Sequence, residues 1–211
     1  MNEPDVVVVA AGPGPVLRLP EARTVVAADG GLDRARLLGV DVDVVVGDLD
    51  SASSAALAAA EAAGARIVRH PTAKDATDLE LALDEAVALG ARRVLVVASG
   101  AGRLDHLLAA LLLLGADRYS ALEVDAVVGD AVVHVVRDER TLVGEPGETL
   151  TLLPVGGPAE GVTTRGLEYP LAGETLDPGT SRGVSNVFLG AEARVEVVSG
   201  VLLAVRPGAA A

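Results

Sequence analysis

Asp48 and Asp50 stand at i and i+2 within Gly47-Asp48-Leu49-Asp50-Ser51. In a tight turn that spacing lets two carboxylates face one hard cation, the alternative being a pair of turn-forming aspartates. Asp41-Val42-Asp43 has the same spacing but precedes an apolar run rather than following one, and reads as solvated loop charge. A second acidic segment, Lys74-Asp75-Ala76-Thr77-Asp78, contains the chain's single lysine beside 16 arginines. A compact ammonium suits a phosphate oxygen as a point charge. Thr77 and Asp78 also suit the N-cap and first turn of a helix, since Leu79, Leu81, Ala82, Leu83 and Ala86 follow with apolar spacing. Gly100-Ala101-Gly102-Arg103 joins flexible backbone to a guanidinium, a phosphate-cradling arrangement or a plain glycine turn. Asp105 caps the helix that follows in either case; His106, in its first turn, is assigned no role, and His70 and His134 carry no pattern. With Asp29-Gly30-Gly31, these segments suit a divalent cation gripping a polyphosphate.

Elements must bring the segments together. The first ~140 residues alternate Val-rich runs with Ala/Leu-rich amphipathic stretches, the pattern of βαβ units and a parallel sheet. Strands are expected at Val6–Ala10, Thr24–Ala27, Val44–Val46, Arg66–Arg69, Val94–Val97 and Val124–Val128. Helices are expected near Asp33–Leu38, Ser53–Ala63, Asp78–Leu89 and Asp105–Leu114. Ligands of such a sheet bind beyond the carboxyl ends of the strands, where four of these strands run into small and polar residues. After about Val136 the rhythm changes to short alternating segments: Thr149–Leu153, Gly161–Thr164, Leu167–Leu171, Arg194–Val198 and Val201–Val205. Gly156-Gly157-Pro158 and Asp177-Pro178-Gly179 read as turns between them, and the whole as a small antiparallel β-sandwich or roll. The charged stretch Arg137–Thr141 marks the boundary, giving domains 1–138 and 139–211, with a short tail at Pro207–Ala211.

Composition narrows the function. A net charge of −13 disfavours a nucleic-acid surface, which needs clustered Lys and Arg. The apolar run Leu107–Leu114, eight residues long, falls short of the ~18 that span a bilayer and reads as a buried helix. Met1–Asp5 has no basic segment, so no secretory signal is expected, and the absence of cysteine makes the cytoplasm the expected setting. Gly12-Pro13-Gly14 lacks the rest of a dinucleotide fingerprint, and neither a Walker A sequence nor a Gly-x-Ser-x-Gly elbow is present. Dehydrogenases, P-loop kinases and serine hydrolases are disfavoured.

Taken in order, the segments resemble the thiamine pyrophosphokinase (thiamine diphosphokinase) family. The resemblance rests on Ala28-Asp29-Gly30-Gly31, Gly47-Asp48-Leu49-Asp50-Ser51, Lys74 to Glu80 and Gly102-Arg103-Leu104-Asp105-His106. It continues through Leu152-Leu153-Pro154-Val155, Val162 to Leu171 and Gly183-Val184-Ser185-Asn186, nearly to the chain's end. It implies a Rossmann-like α/β nucleotide-binding domain, a β-sandwich domain, and a homodimer with active sites at the subunit interface. The implied reaction moves the diphosphoryl group of ATP to the hydroxyethyl oxygen of thiamine, giving AMP and thiamine diphosphate. Asp48, Asp50 and Asp78 would then be the Mg2+ and phosphate carboxylates. Asp29, Gly30, Lys74, Thr77, Gly102, Arg103 and Asp105 would line the ATP and diphosphoryl path. Ser185 and Asn186, from the partner subunit, would contact the aminopyrimidine ring. Tyr119, Tyr169 and Phe188 are the only aromatics, so Phe188 is the expected stacking platform, or else a core residue of the sandwich. The rival readings are a pyrophosphokinase for a hydroxymethylpterin and a non-catalytic nucleotide-binding module.

Overall fold

The structure, a computed structural model, describes residues 3–14 and 19–210. Met1 and Asn2 of the N-terminal segment and Ala211 of the C-terminal tail lie outside them. The fold is mixed α/β, in two compact units. The first comprises residues up to Ala110 together with Ala121–Asp130; the second comprises Leu111–Ser120 and Ala131–Ala210. The chain passes from one unit to the other at 110/111, 120/121 and 130/131.

In the first unit the strands are β1 (Val6–Val9), β2 (Thr24–Ala28), β3 (Val44–Gly47), β4 (Arg66–Arg69), β5 (Arg93–Ala98) and β6 (Glu123–Val128). Their order across the sheet is β4-β3-β2-β1-β5-β6, and each neighbouring pair is parallel. The valines of β1 and β3 are buried throughout, as unbroken apolar runs require when both faces of a strand are covered. The chain builds outward from β1 through β2, β3 and β4, then returns to the other side of β1 with β5. Loops leaving β1 and β5 therefore diverge and open a crevice at their carboxyl ends.

The helices are α1 (Gly31–Leu37), α2 (Ser54–Ala62), α3 (Asp78–Ala88) and α4 (Leu104–Leu114). Helix α3 buries Leu79, Ala82, Leu83 and Ala86, one stripe at helical spacing, and packs over β1, β2 and β3. Thr77 is its N-cap: the hydroxyl accepts a hydrogen bond from the Glu80 N–H at 3.2 Å. Ser53 caps α2 in the same way and is itself gripped by Asp33 of α1, whose carboxylate accepts from the Ser53 N–H at 2.7 Å and hydroxyl at 2.6 Å. Those bonds hold the Asp33 carboxyl below its ordinary value of 3.8, so its contribution is present above that pH and fades as pH falls through the lower folded value. Asp33→Asn is expected to cost about 1–2 kcal/mol in urea unfolding at pH 7. The difference from the parent should shrink as the titration is repeated below pH 3.8.

Helix α4 departs from the expected buried helix. Leu114 is its buried residue, while Leu104, Leu108 and Leu112, at i, i+4 and i+8, are 66%, 52% and 60% exposed.

In the second unit, β7 (Ala131–Val136), β8 (Glu139–Val143), β9 (Thr149–Arg165), β10 (Ala172–Leu176), β11 (Asn186–Val187), β12 (Glu192–Glu196) and β13 (Ser199–Arg206) form antiparallel ladders in the order β7-β13-β9-β12-β8. Strands β10 and β11 also pair with β9. Strand β9 runs through Gly156-Gly157-Pro158, where a turn was expected. The chain bends there without leaving the ladder: Gly156 takes φ 77°, and the register against β13 shifts between Ser199 and Val201. The expected strand Leu167–Leu171 is reduced to one bridge, Leu167 to Phe188. Pro170 has no N–H to donate there, and the main chain of Tyr169 is taken by a side chain described below. Within the charged stretch Arg137–Thr141, residues from Glu139 onward belong to β8.

Candidate active site

Carboxylates meet at the C-terminal ends of β2 and β3 and the start of α3. Carboxylate oxygens of Asp29, Asp48 and Asp78 lie within 4.8 Å of one another. Local backbone explains the convergence. Asp29 leaves β2 in a left-handed conformation (φ 47°), is 6% exposed, and donates its N–H to the Val46 carbonyl at 2.8 Å. Its Oδ1 accepts from the Ser51 N–H at 3.4 Å, tying the β2 exit to the β3 exit. Gly47 ends β3 at φ 146°, and a Cβ there would sit 2.9 Å from Asp78 Oδ1 and 3.0 Å from Asp29 Cβ. Only glycine leaves that space open.

Lys74 closes the group. Its Nζ lies 3.1 Å from Asp48 Oδ2 and 3.0 Å from Asp78 Oδ1, with 14% of the side chain exposed. Partial desolvation pulls the Lys74 pKa down, but the Asp78 and Asp48 carboxylates outweigh it and the net direction is upward. The same ammonium is the main cause that holds the Asp48 carboxyl below its ordinary value. A cation is thus already accommodated between two of the three carboxylates.

The sequence placed Asp50 with Asp48 and Asp78. In the structure Leu49, buried and at φ 64°, separates the two aspartates, and Asp50 is exposed with its Oδ1 accepting from the Ser51 hydroxyl at 3.0 Å. Among the described residues Asp29, rather than Asp50, completes the convergent triad. Three hard oxygen donors around a space that a methyl group would fill fit a divalent cation of the magnesium or calcium type. Gly47→Ala should therefore weaken Mn2+ binding at least tenfold, read by electron paramagnetic resonance, while the parent titrates normally.

A cleft of about 360 Å³ opens beside the triad at the β1/β5 crevice. It is lined by Ala10 to Pro13, Asp29, Thr77, Asp78, Ser99, Gly102, Arg103 and His106, with Leu107 and Ala110 forming an apolar side. Ser99 spans the crevice: its hydroxyl donates to the Pro13 carbonyl at 2.5 Å and accepts from the Ala101 N–H at 3.1 Å. Gly102 takes φ 98° with open space where a Cβ would be, so the backbone there is free to approach a ligand. Arg103 lies across Asp105, Nε to Oδ1 at 3.1 Å, and that guanidinium holds the exposed Asp105 carboxyl down at about 2. Gly30 N-caps α1, and Gly31 lets that helix seat on β1, since a Cβ there would fall 1.9 Å from the Val9 carbonyl oxygen.

The loop from Ala10 to Pro13 and the Ser99 tie were not singled out from sequence. A glycine cluster at the end of the first Val run was the available signal, set aside because it failed the dinucleotide pattern.

In the second unit Ser185 is exposed, at φ 59°, its N–H donated to Thr151 Oγ1 at 3.0 Å. Asn186 is 5% exposed. Its Oδ1 accepts from the N–H groups of Tyr169 and Val187 at 3.0 and 2.9 Å, and its Nδ2 donates to the Tyr169 carbonyl at 2.7 Å. The Asn186 amide is thus engaged in tying the main chain of β11 to the Tyr169 loop. Phe188 as a stacking platform is corrected outright: the ring is 1% exposed in the apolar core with Leu150, Leu167 and Leu202, and Arg206 stacks over it at 5.8 Å. Tyr119 is also buried, which leaves Tyr169, 54% exposed, as the accessible aromatic.

Comparison with known proteins gives a consistent result. Residues 17–126 match the model "Thiamin pyrophosphokinase, catalytic domain" and residues 132–202 match "Thiamin pyrophosphokinase, vitamin B1 binding domain". No curated protein matches the chain. Among solved structures it is similar to thiamine pyrophosphokinase from Bacillus subtilis (23% identity, 96% of this chain and 98% of that one, TM-score 0.81). The enzyme from Geobacillus thermodenitrificans gives 24% identity over 96% of each chain with TM-score 0.79. Yeast thiamin pyrophosphokinase gives 15% identity over 98% and 87%, with TM-score 0.76.

Proposed function

Since the chain belongs to the thiamin pyrophosphokinase family, we propose that it is an ATP:thiamine diphosphotransferase whose chemistry takes place at the cleft beside Asp29, Asp48 and Asp78. The observation that carries this reading is the meeting of three carboxylates and one lysine at the open end of a parallel sheet, inside the segment matching the catalytic-domain model.

Asp29, Asp48 and Asp78 would hold Mg2+, with Asp50 as the solvent-side carboxylate of the same group. When bound, the cation would neutralise charge on the triphosphate of ATP. The chain's own groups do the rest. Lys74 and Arg103 offer N–H donors to phosphate oxygens, and Gly102 leaves the backbone open to them. Thr77 fixes the start of α3 and thereby the position of Asp78. The thiamine hydroxyl oxygen attacks the β-phosphorus as the bond from that phosphorus to the α-phosphate bridging oxygen breaks. AMP leaves with that oxygen, and the hydroxyl proton passes to a carboxylate of the cluster.

The finer architecture in this reading is a Rossmann-like ATP domain, 1–138, and a β-sandwich domain, 139–211, that completes the thiamine site from a second copy. The row of exposed leucines on α4 supports a homodimer, because a stripe of that width is normally covered. Ser185, exposed beside the buried Asn186, is the group offered to the aminopyrimidine. Among the described residues no helix is long and apolar enough to cross a membrane, and a cytoplasmic setting fits the cysteine-free sequence.

The test is AMP release from ATP with magnesium and either thiamine or hydroxymethylpterin. Thiamine-dependent AMP and thiamine diphosphate are expected in equal amounts. Turnover on the pterin alone, or ATP binding without turnover on either, would overturn the assignment.

A further inference from the structure

Among the described residues, Arg34 is a buried cation without a counter-charge. It lies in α1 one turn beyond Gly30 and is 6% exposed. Neither terminal nitrogen, Nη1 nor Nη2, has a hydrogen-bond partner among the described residues. Burial draws its pKa down. The other two cations of the site are already engaged, Lys74 by Asp48 and Asp78, Arg103 by Asp105. A desolvated guanidinium with open donors is unfavourable until an oxyanion meets it.

Its place indicates which oxyanion. Gly31, three residues before it, seats α1 directly on the end of β1, which sets the Arg34 side chain against the loop leaving that strand. The guanidinium lies on Gly14: a Cβ there would be 2.5 Å from Arg34 Nη2 and 3.1 Å from its Cζ. Gly14 directly follows Pro13, which lines the cleft at the β1/β5 crevice. The unpaired donors, themselves buried, thus lie against the residue that follows Pro13 of the cleft lining, and a bulkier residue at position 14 would displace them.

We propose that Arg34 is an anion-receiving residue of this site, its guanidinium meeting a phosphate oxygen of the nucleotide or of free pyrophosphate at the β1 exit. The proposal rests on the polyphosphate reading of the cleft given above and extends it to a residue outside the cleft lining. A planar fork with paired N–H donors suits a phosphate better than a lysine would at the same point.

Thermal unfolding and calorimetric titration in magnesium buffer, without thiamine, test it on the parent, Arg34→Met and Gly14→Ala. A residue that only braced the loop would lower Tm when replaced, whereas an unpaired buried charge replaced by an apolar chain of similar volume should leave Tm equal or higher. Pyrophosphate should raise the parent's Tm by ligand linkage, and Arg34→Met should lose that shift and bind pyrophosphate at least tenfold more weakly. Gly14→Ala should weaken pyrophosphate binding in the same direction. Titrations with ATP and AMP distinguish the source of the phosphate. A loss for ATP and pyrophosphate alone assigns Arg34 to the transferred end, and a loss shared by AMP assigns it to the α-phosphate. No shift in the parent, or equal binding by the parent and Arg34→Met, overturns the proposal. These readouts need no turnover, so their failure is distinct from a failure to release AMP with thiamine.

Discussion

Asp48→Asn is expected to lower kcat/KM for thiamine diphosphate formation by about 10²–10³-fold with the fold intact. The carboxylate has two functions at once: it supplies one of three converging oxygens and it anchors the Lys74 ammonium at 3.1 Å. The amide keeps the shape but removes the charge, so cation affinity falls and Lys74 is left to Asp78 alone. Both changes act on the stabilisation of charge in the transition state, so kcat should fall rather than KM alone rise. Raising magnesium should recover only part of the loss. Quantifying AMP across a magnesium titration, alongside circular dichroism, separates a weakened cation site from an unfolded protein. Turnover equal to the parent's at every magnesium concentration would remove Asp48 from the machinery.

Much of the first unit was legible because parallel strands announce themselves. Val6-Val7-Val8-Val9 and Val44-Val45-Val46 are apolar without alternation, and each is followed at once by small or acidic residues. Strand ends near Asp29, Asp48 and Ser99 then fall where the polar residues do. What the pattern could not convey was backbone handedness at single residues. Asp48 and Asp50 share a spacing compatible with one cation, but Leu49 at φ 64° separates their directions, and a non-glycine residue in that region carries no sequence signal. Asp29, 19 residues upstream of Asp48, joins the triad because β2 and β3 are neighbours, a fact of sheet order rather than of spacing.

The second unit was less legible because its ladders are long-range and its turns are bulges. A Gly-Gly-Pro cluster ordinarily ends a strand, yet β9 continues through one because β13 absorbs the extra residues by a shift in register. Helix α4 misled in the opposite direction. Leu107–Leu114 is apolar enough to suggest burial, but within one chain three of the helix's leucines, at 104, 108 and 112, face solvent. Composition reports that a surface must be covered and leaves open what covers it.

Asn186→Ala carries the largest expected loss of stability, about 2–4 kcal/mol from the groups it strands. The resemblance placed Asn186 on the substrate, and a surface ligand replaced by alanine would change stability by about 0.5 kcal/mol or less. In the structure its Oδ1 satisfies two backbone N–H groups, and its Nδ2 satisfies the Tyr169 carbonyl, from a position 5% exposed. Pro170 follows Tyr169 and offers no N–H, so the Leu167–Leu171 segment has few ladder bonds to fall back on. Removing the amide should loosen the segment that carries the accessible Tyr169 and the neighbouring exposed Ser185. Urea unfolding, followed by far-ultraviolet dichroism, should show the midpoint fall with an unchanged slope. Kinetics below the new midpoint should show KM for thiamine raised more than KM for ATP, since Asp29, Asp48 and Asp78 belong to the other unit. A variant as stable as the parent with only the thiamine KM altered would return Asn186 to the substrate and sink the structural role.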